Sequence, residues 1–330
     1  MKPAVLIGEP WALAPAYPRD LREEIARHVR LHPVEITAGS WKDHREALAQ
    51  AELVLSSWGM LSLDAEVLAA MPRLEAVFHA AGTIKSFASP EAQERGIVFS
   101  SAAEANAIPV AEFALGVILL SLKGFWAHER AMRAGHPPAH EIAVPGIYGS
   151  TIGLVSLGAI GRRVAKLLAA HDVKLLLHDP HVTPAAAAEF GAETATLREV
   201  FERSDVVSLH TPWLPETEKM IGLELVRLMK RGATLINTAR GALIDEPGLC
   251  EVLSERPDLT AVLDVTRPEP PAPDSPLRAL PNVVLTPHIA GSMGSEIARM
   301  GRWMVEEMER FVAGQPLLHR VNLAALGRMA

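Results

Sequence analysis

Cysteine is almost missing from this chain of 330 residues. Cys250 stands alone, so no intrachain disulfide can form, and the usage suits a reducing cytoplasm. Positive charge is also scarce. Lys and Arg number 32 against 39 Asp and Glu, a formal net charge of -7, and no run of five or more basic residues offsets it, so a nucleic-acid partner is excluded on electrostatic grounds. Long apolar runs are short of what a bilayer needs. Ala4-Val5-Leu6-Ile7 reaches Gly8-Glu9 after four apolar residues, too few for the core of a signal peptide. The longest apolar stretch, Phe113 to Leu122, falls below the roughly 20 residues of a membrane span and reads as a buried helix. No membrane partner is expected. Metal-ligand spacing is missing too: His178 and His181 flank Asp179-Pro180 with no further ligand cluster, so no metal site is expected.

What remains is an ordinary soluble composition, 49% hydrophobic and 22% charged, in a chain too long for one ordinary core. Two domains, or one with an insertion, follow. Up to about Ala102, short apolar runs (Ala4–Ile7, Val34–Ile36, Leu53–Ser56, Ala76–Phe78, Ile97–Ser100) alternate with helical patterns at Leu21–Val29 and Ala65–Met71. That rhythm predicts β-α-β units and a parallel sheet. Asn106 to about Met132 reads as one helix, apolar on nearly every face, with Pro109 in its first turn. Such a helix must be covered all round, and a second subunit is one way to cover it; a homodimer through residues 106–132 is the expectation. Gly135 to Gly149 reads as a connection. A second set of strands is predicted at Ile152–Ser156, Lys174–His178, Val206–Leu209, Thr234–Asn237, Thr260–Leu263 and Val283–Thr286, enough for a doubly wound sheet. The last helical stretch, Ser292 to Val312, must pack elsewhere.

Within the second set, Ile152-Gly153-Leu154-Val155 runs into Ser156-Leu157-Gly158-Ala159-Ile160-Gly161 and then a helical pattern. Strand, tight turn and helix are the context of a dinucleotide fingerprint: Gly158 admits a pyrophosphate, Gly161 allows helix and strand to approach, and the helix N-terminus offers free N–H groups. Ser156 stands where the first glycine belongs, and an ordinary tight turn is the alternative. Asp179, twenty-one residues after Gly158 at the end of the next strand, fits an acid bonded to ribose hydroxyls. A carboxylate there repels a 2′-phosphate, so NAD is favoured over NADP.

Three further residues follow strand ends, where open α/β sheets bind ligands. Arg240, in Asn237-Thr238-Ala239-Arg240-Gly241, can clamp a carboxylate through two parallel N–H bonds, and Gly241 is read as leaving room for the ligand. His288, in Pro287-His288-Ile289-Ala290-Gly291, titrates near neutrality and suits an acid that must also act as base. Glu269, between Pro268 and Pro270, would favour the protonated imidazole if it lies beside His288. Singly, each has a plainer explanation: a surface ion pair, a core histidine, a solvated loop acid. Jointly, behind a dinucleotide fingerprint, they point to hydride transfer on a small 2-hydroxy or 2-keto acid.

With Val110-Ala111-Glu112, His210-Thr211-Pro212, Pro215-Glu216-Thr217 and Asp264-Val265 added, the last two-thirds of the chain resembles the D-isomer-specific 2-hydroxyacid dehydrogenases, the family of hydroxypyruvate/glyoxylate reductases and phosphoglycerate dehydrogenases. The resemblance implies an α/β fold in which a Rossmann-type NAD domain, residues 106–288, is inserted into a smaller flavodoxin-like substrate domain, residues 1–105 and 289–330. It implies that Arg240 binds the substrate carboxylate, that His288 donates the proton and that Glu269 pairs with it. Leu157, Gly158, Ala159 and Ile160 would form the pyrophosphate turn. Thr238, Ala239, Arg240, Asp264 and His288 would surround the nicotinamide, with His210 and Pro212 near the adenosine half. Ala81 and Gly82, in the loop Ala80 to Lys85, would present amides to the substrate, although that loop departs from the family's Gly-x-Gly pattern. Lys85 or Trp58 would line the side-chain pocket. Because relatives of this fold include NAD-responsive corepressors, a binding protein is the alternative; no basic arm or added tail supports it.

Overall fold

In a computed structural model of the chain, the structure describes residues 1–135, 142 and 144–328. Part of the connection expected over Gly135 to Gly149 lies outside them. The chain divides into two compact units, one made of Met1–Asn106 with Ser292–Ala330 and the other of Ala107–Gly291.

In chain order the first unit contains β1 (Pro3–Ile7), α1 (Pro10–Ala16), α2 (Arg19–His28), β2 (Arg30–Leu31), α3 (Arg45–Gln50), β3 (Leu53–Ser56), α4 (Ala65–Ala70), β4 (Ala76–His79), α5 (Pro90–Glu94) and β5 (Val98–Ser101). All strand pairs are parallel, in the order β2-β1-β3-β4-β5. Alternation along each strand builds a core on both faces: Ala4, Leu6, Leu53 and Leu55 on one, Val5, Ile7, Val54 and Val77 on the other. Val34–Ile36, expected as a strand, contributes one bridge, Ile7 to Ile36; the paired strand is Arg30–Leu31, too short and polar to show a period.

Next come α6 (Ala103–Leu122) and α7 (Phe125–Arg133), where one helix was expected. Gly124 divides them at φ 61, and a side chain there would meet Val144 at 2.2 Å. Because α6 starts at Ala103, Pro109 lies inside it and not in its first turn. Its 20 residues exceed the apolar run counted from Phe113, and among the described residues it is the one helix long and apolar enough to cross a membrane. Burial accounts for that apolarity: Ala111, Ala114, Val117, Ile118 and Leu122 pack into the core of the second unit. Coverage is incomplete, since Glu112, Gly116 and Leu120 are exposed along one strip.

The second unit continues with β6 (Thr151–Val155), α8 (Ala159–Leu168), β7 (Lys174–His178), α9 (Pro184–Ala188), β8 (Ala192–Thr194), α10 (Leu197–Arg203), β9 (Val206–Leu209), α11 (Leu223–Arg227), β10 (Thr234–Asn237), α12 (Glu246–Glu255), β11 (Thr260–Leu263) and β12 (Val283–Leu285). Seven parallel strands lie in the order β12-β11-β10-β9-β6-β7-β8. The order reverses between β6 and β9, the doubly wound pattern. β8, a strand of three residues directly after the Gly191 turn, adds to the six expected. Local signals place the helices. Thr196 and Glu199 form a reciprocal capping box on α10, and α8 buries Gly161, Val164, Ala165 and Leu168 at helical spacing.

The last helix, α13 (Ser295–Val312), returns to the first unit. Met300, Met304, Val305 and Met308 enter its core, and Gly301 lies so close to the Ala16 carbonyl that a side chain there would overlap it.

Candidate active site

The turn after β6 is shaped by its own backbone. Ser156 takes φ 78, the left-handed region where glycine is expected, and its hydroxyl lies 2.9 Å from that of Thr211. A Cβ on Gly161 would sit 2.3 Å from the Ser156 carbonyl oxygen, so only glycine lets α8 start this close to β6. Gly158, at the N-cap of α8, has nothing within 4 Å of such a Cβ. Here the space is open above the helix N-terminus, where Ala159 and Ile160 begin the first turn. The Leu157 N–H donates to Asp179 Oδ2 and the His181 N–H to Asp179 Oδ1, both at 2.8 Å, which fixes that carboxylate at the end of β7. His178 turns its Nδ1 to the Ala195 carbonyl, 3.2 Å away.

Orphaned buried polar atoms mark the neighbouring strand ends. Among the described residues, neither ring nitrogen of His210, after β9, has a hydrogen-bond partner, nor has the Thr238 hydroxyl after β10. Burial pushes the His210 imidazole down to about 4. The open cradle at Gly158, the free amides of α8 and these unmet groups fit a bound dinucleotide.

Arg240 leaves β10 through a turn clamped by Asn237, whose side chain donates to the Arg240 carbonyl at 2.9 Å and accepts from the Ala239 N–H at 3.0 Å. The guanidinium donates to the Ala239 carbonyl at 2.7 Å and forms no ion pair among the described residues. Desolvation lowers its pKa and the Glu269 charge acts in the opposite sense; an arginine stays cationic through such shifts. Gly241 does not leave room for a ligand, as the sequence suggested. A Cβ there would lie 2.1 Å from the Thr266 backbone, so this glycine seats the loop after β11 against the Arg240 turn.

That loop carries Glu269. It is held by Arg267, which pairs with Glu218 at 2.9 Å and lies over the Trp213 ring at 4.6 Å, and by the Thr266 hydroxyl bonded to the Pro268 carbonyl at 2.7 Å. Glu269 Oε1 lies 2.6 Å from His288 Nδ1, both side chains being about half exposed. His288 itself holds φ 56, a conformation costly for a side-chain-bearing residue and over-determined by its surroundings. The buried Asp264 carboxylate, 1% exposed, accepts from the Thr286 hydroxyl at 2.6 Å and from the N–H groups of Ile289 and Ala290 at 2.8 and 2.9 Å. The Asp264 carbonyl accepts from the His288 N–H at 2.9 Å. Asp264 thus ties down the histidine loop, a role no sequence spacing suggested because its partners lie more than twenty residues away. Asn237 had a readable signal, an Asx side chain directly after a strand.

Arg240, Glu269 and His288 are therefore brought together, with Glu269 bonded to His288 and acting electrically on Arg240. Ala81 and Gly82 belong to the first unit, in the loop after β4; Ala81 is buried, and among the described residues neither N–H donates to a backbone carbonyl.

Strand order and turn geometry define the second unit as a dinucleotide-binding domain. Residues 115–290 match the model of the D-isomer specific 2-hydroxyacid dehydrogenase, NAD binding domain, more than half of the chain, and the chain belongs to that family. It is 34% identical over 275 residues to the D-3-phosphoglycerate dehydrogenase of Mycobacterium bovis, covering 83% of this chain and 51% of that one. The chain thus spans about half the length of the curated phosphoglycerate dehydrogenases it matches. Identity to the glyoxylate reductase of Korarchaeum cryptofilum is 35% over 264 residues, covering 79% of this chain and 80% of the relative. A solved structure from Thermus thermophilus superposes with a TM-score of 0.76 at 30% identity, covering 97% of this chain and all of the other.

Proposed function

We propose that this chain is an NAD-dependent dehydrogenase that interconverts a small 2-keto acid and its D-2-hydroxy acid. The observation that carries the reading is the 2.6 Å contact of His288 with Glu269, in whose field Arg240 also lies, at the strand ends of an NAD-binding sheet. The nicotinamide of NAD, when bound, accepts or supplies the hydride. Leu157, Gly158, Ala159 and Ile160 hold its pyrophosphate, Asp179 a ribose, His210 and Pro212 the adenosine half, and Thr238 and Ala239 the nicotinamide side. With both oxygens of a fixed carboxylate at that ribose, a 2′-phosphate is disfavoured and NAD is preferred to NADP.

Arg240 clamps the substrate carboxylate; removed from water, its guanidinium bonds an anion more strongly than on an open surface. With Nδ1 engaged by Glu269, His288 is left Nε2 to donate a proton to the carbonyl oxygen in reduction and to take it back in oxidation. Glu269 fixes the ring orientation through that contact, while Asp264 acts as a positioning residue through the 286–290 loop. Exposed apolar side chains on and after α6, among them Met132 at 75% and Tyr148 at 86%, support a homodimer through this region.

A panel of 2-keto acids, with glyoxylate and hydroxypyruvate as references, assayed with NADH and NADPH at the nicotinamide absorbance tests the reading. Arg240→Ala and His288→Ala should each lower kcat/KM by about 100-fold or more. Undiminished turnover in either variant overturns its role.

A further inference from the structure

Glu269 stands on a segment with little support of its own. Among the described residues, 265–270 make no backbone-to-backbone hydrogen bond, so side chains place this carboxylate. Beyond it, Arg278 donates to the Ala272 and Pro271 carbonyls at 3.0 and 2.7 Å. Before it, Thr266 is seated against Gly241, and Arg267, two positions before Glu269, reaches back to the loop after β9.

There Arg267 closes a three-membered clasp within the second unit. Its guanidinium lies over the Trp213 ring, 4.6 Å from the centroid, and its Nη1 donates to Glu218 Oε1 at 2.9 Å. The Trp213 indole N–H donates to the other oxygen, Oε2, at 3.3 Å. One carboxylate thus accepts from both the ring and the cation that covers it. The receiving loop is tied down without Arg267. Its Thr217 hydroxyl donates to the Pro212 carbonyl at 2.7 Å and accepts from the Leu214 N–H at 2.8 Å. The N–H groups of Lys219 and Ile221 donate to the Ala242 and Leu243 carbonyls at 2.8 and 2.9 Å. Arg267 and Glu218 are 50% and 40% exposed, and a single ion pair so exposed adds little to folding. What the clasp fixes is the direction in which the chain enters Glu269.

We infer that Arg267, clasped by Trp213 and Glu218, is a positioning residue for Glu269 and holds that carboxylate at its 2.6 Å contact with His288. This rests on the dehydrogenase reading above and adds to its machinery three residues outside Arg240, Glu269 and His288. A proton-transferring pair that loses its alignment loses rate steeply, while binding of the substrates changes little.

The test measures kcat and KM, with NADH and the 2-keto acid turned over fastest, in wild type, Arg267→Ala, Arg267→Lys, Glu218→Gln, Glu269→Gln and the double variant Arg267→Ala with Glu269→Gln. Arg267→Ala should lower kcat about ten-fold with both KM values within about two-fold, and should melt within a few degrees of wild type. Arg267→Lys, which keeps a cation beside Glu218, should recover most of the rate, and Glu218→Gln should fall in the same direction as Arg267→Ala. In the Glu269→Gln background Arg267→Ala should cost nothing further, because it acts through that carboxylate. Independently of turnover, the His288 Nδ1 proton shared with Glu269 should give a far-downfield proton resonance, identified by its loss in Glu269→Gln. It should shift or broaden in Arg267→Ala and return in Arg267→Lys. Wild-type kcat in Arg267→Ala, an unchanged resonance there, or a further loss of about ten-fold in the Glu269→Gln background overturns this inference and leaves the dehydrogenase reading standing. Failure of wild type to reduce any 2-keto acid overturns the reading beneath it; an unchanged resonance in Arg267→Ala then removes the clasp's role as well.

Discussion

His79 ends β4 and His210 follows β9, and each is almost fully buried. Desolvation pushes His79 from 6.5 down to about 3 and His210 from 6.5 down to about 4. Above pH 6.5 both stay neutral whether the chain is folded or not, and the stability they permit is complete. Below it the unfolded chain takes up protons that the folded chain refuses until about pH 3 or 4. Stability must therefore fall through that window, by about 1.4 kcal/mol per pH unit for each histidine. Urea unfolding of His79→Gln and wild type, compared from pH 6.5 down to about 4, should give a shallower loss in the variant. Equal slopes would show that His79 titrates as an exposed imidazole. His79 has a structural occupation, its Nδ1 lying 2.9 Å from the Ser56 hydroxyl, whereas His210 has no hydrogen-bond partner among the described residues. Nothing in the sequence separates the two.

At the level of the element, the strand-turn-helix from β6 to α8 separates two glycines that look alike in sequence. Gly161 faces the Ser156 carbonyl and Gly158 faces open space. Gly161→Ala should lose about 1–3 kcal/mol of stability because backbone must give way, and its thermal midpoint should drop. Gly158→Ala should melt within a few degrees of wild type yet bind NADH about ten-fold more weakly, its methyl group standing where the pyrophosphate approaches. Fluorescence titration with NADH checks this, and wild-type affinity in Gly158→Ala would move the pyrophosphate elsewhere. The element scale also explains where periodicity misled. Gly124 breaks the long apolar helix through a left-handed residue, which a hydrophobicity pattern does not register, and Arg30–Leu31 pairs as a strand only because β1 lies beside it.

For the whole molecule, the apolar helix α6 raises the question of assembly. Its buried face belongs to the core of the second unit, while Leu120 on its outer strip, Phe125 and Met132 on α7, and Tyr148 beyond remain exposed. Scattered apolar residues are ordinary on a surface, but this many within thirty positions are grouped by sequence onto one region. Light scattering should return twice the 35.6 kDa of one chain, and charged replacements Phe125→Glu with Met132→Glu should halve that mass. A wild-type monomer would assign these side chains to something other than a second copy.

The strand runs other than β2 and β8, the turn Ser156 to Gly161 and the strand-end positions of Arg240 and His288 were determined by the sequence itself, because apolar periodicity and glycine spacing act over a few residues. Only tertiary structure decided that Glu269 reaches His288, that Asp264 ties down the histidine loop, and that Gly241 serves packing instead of ligand access. Each of those depends on residues about twenty or more positions apart meeting at the ends of parallel strands. The clasp of Arg267 on Trp213 and Glu218 is of the same kind: it joins the loops after β9 and β11 across the end of β10.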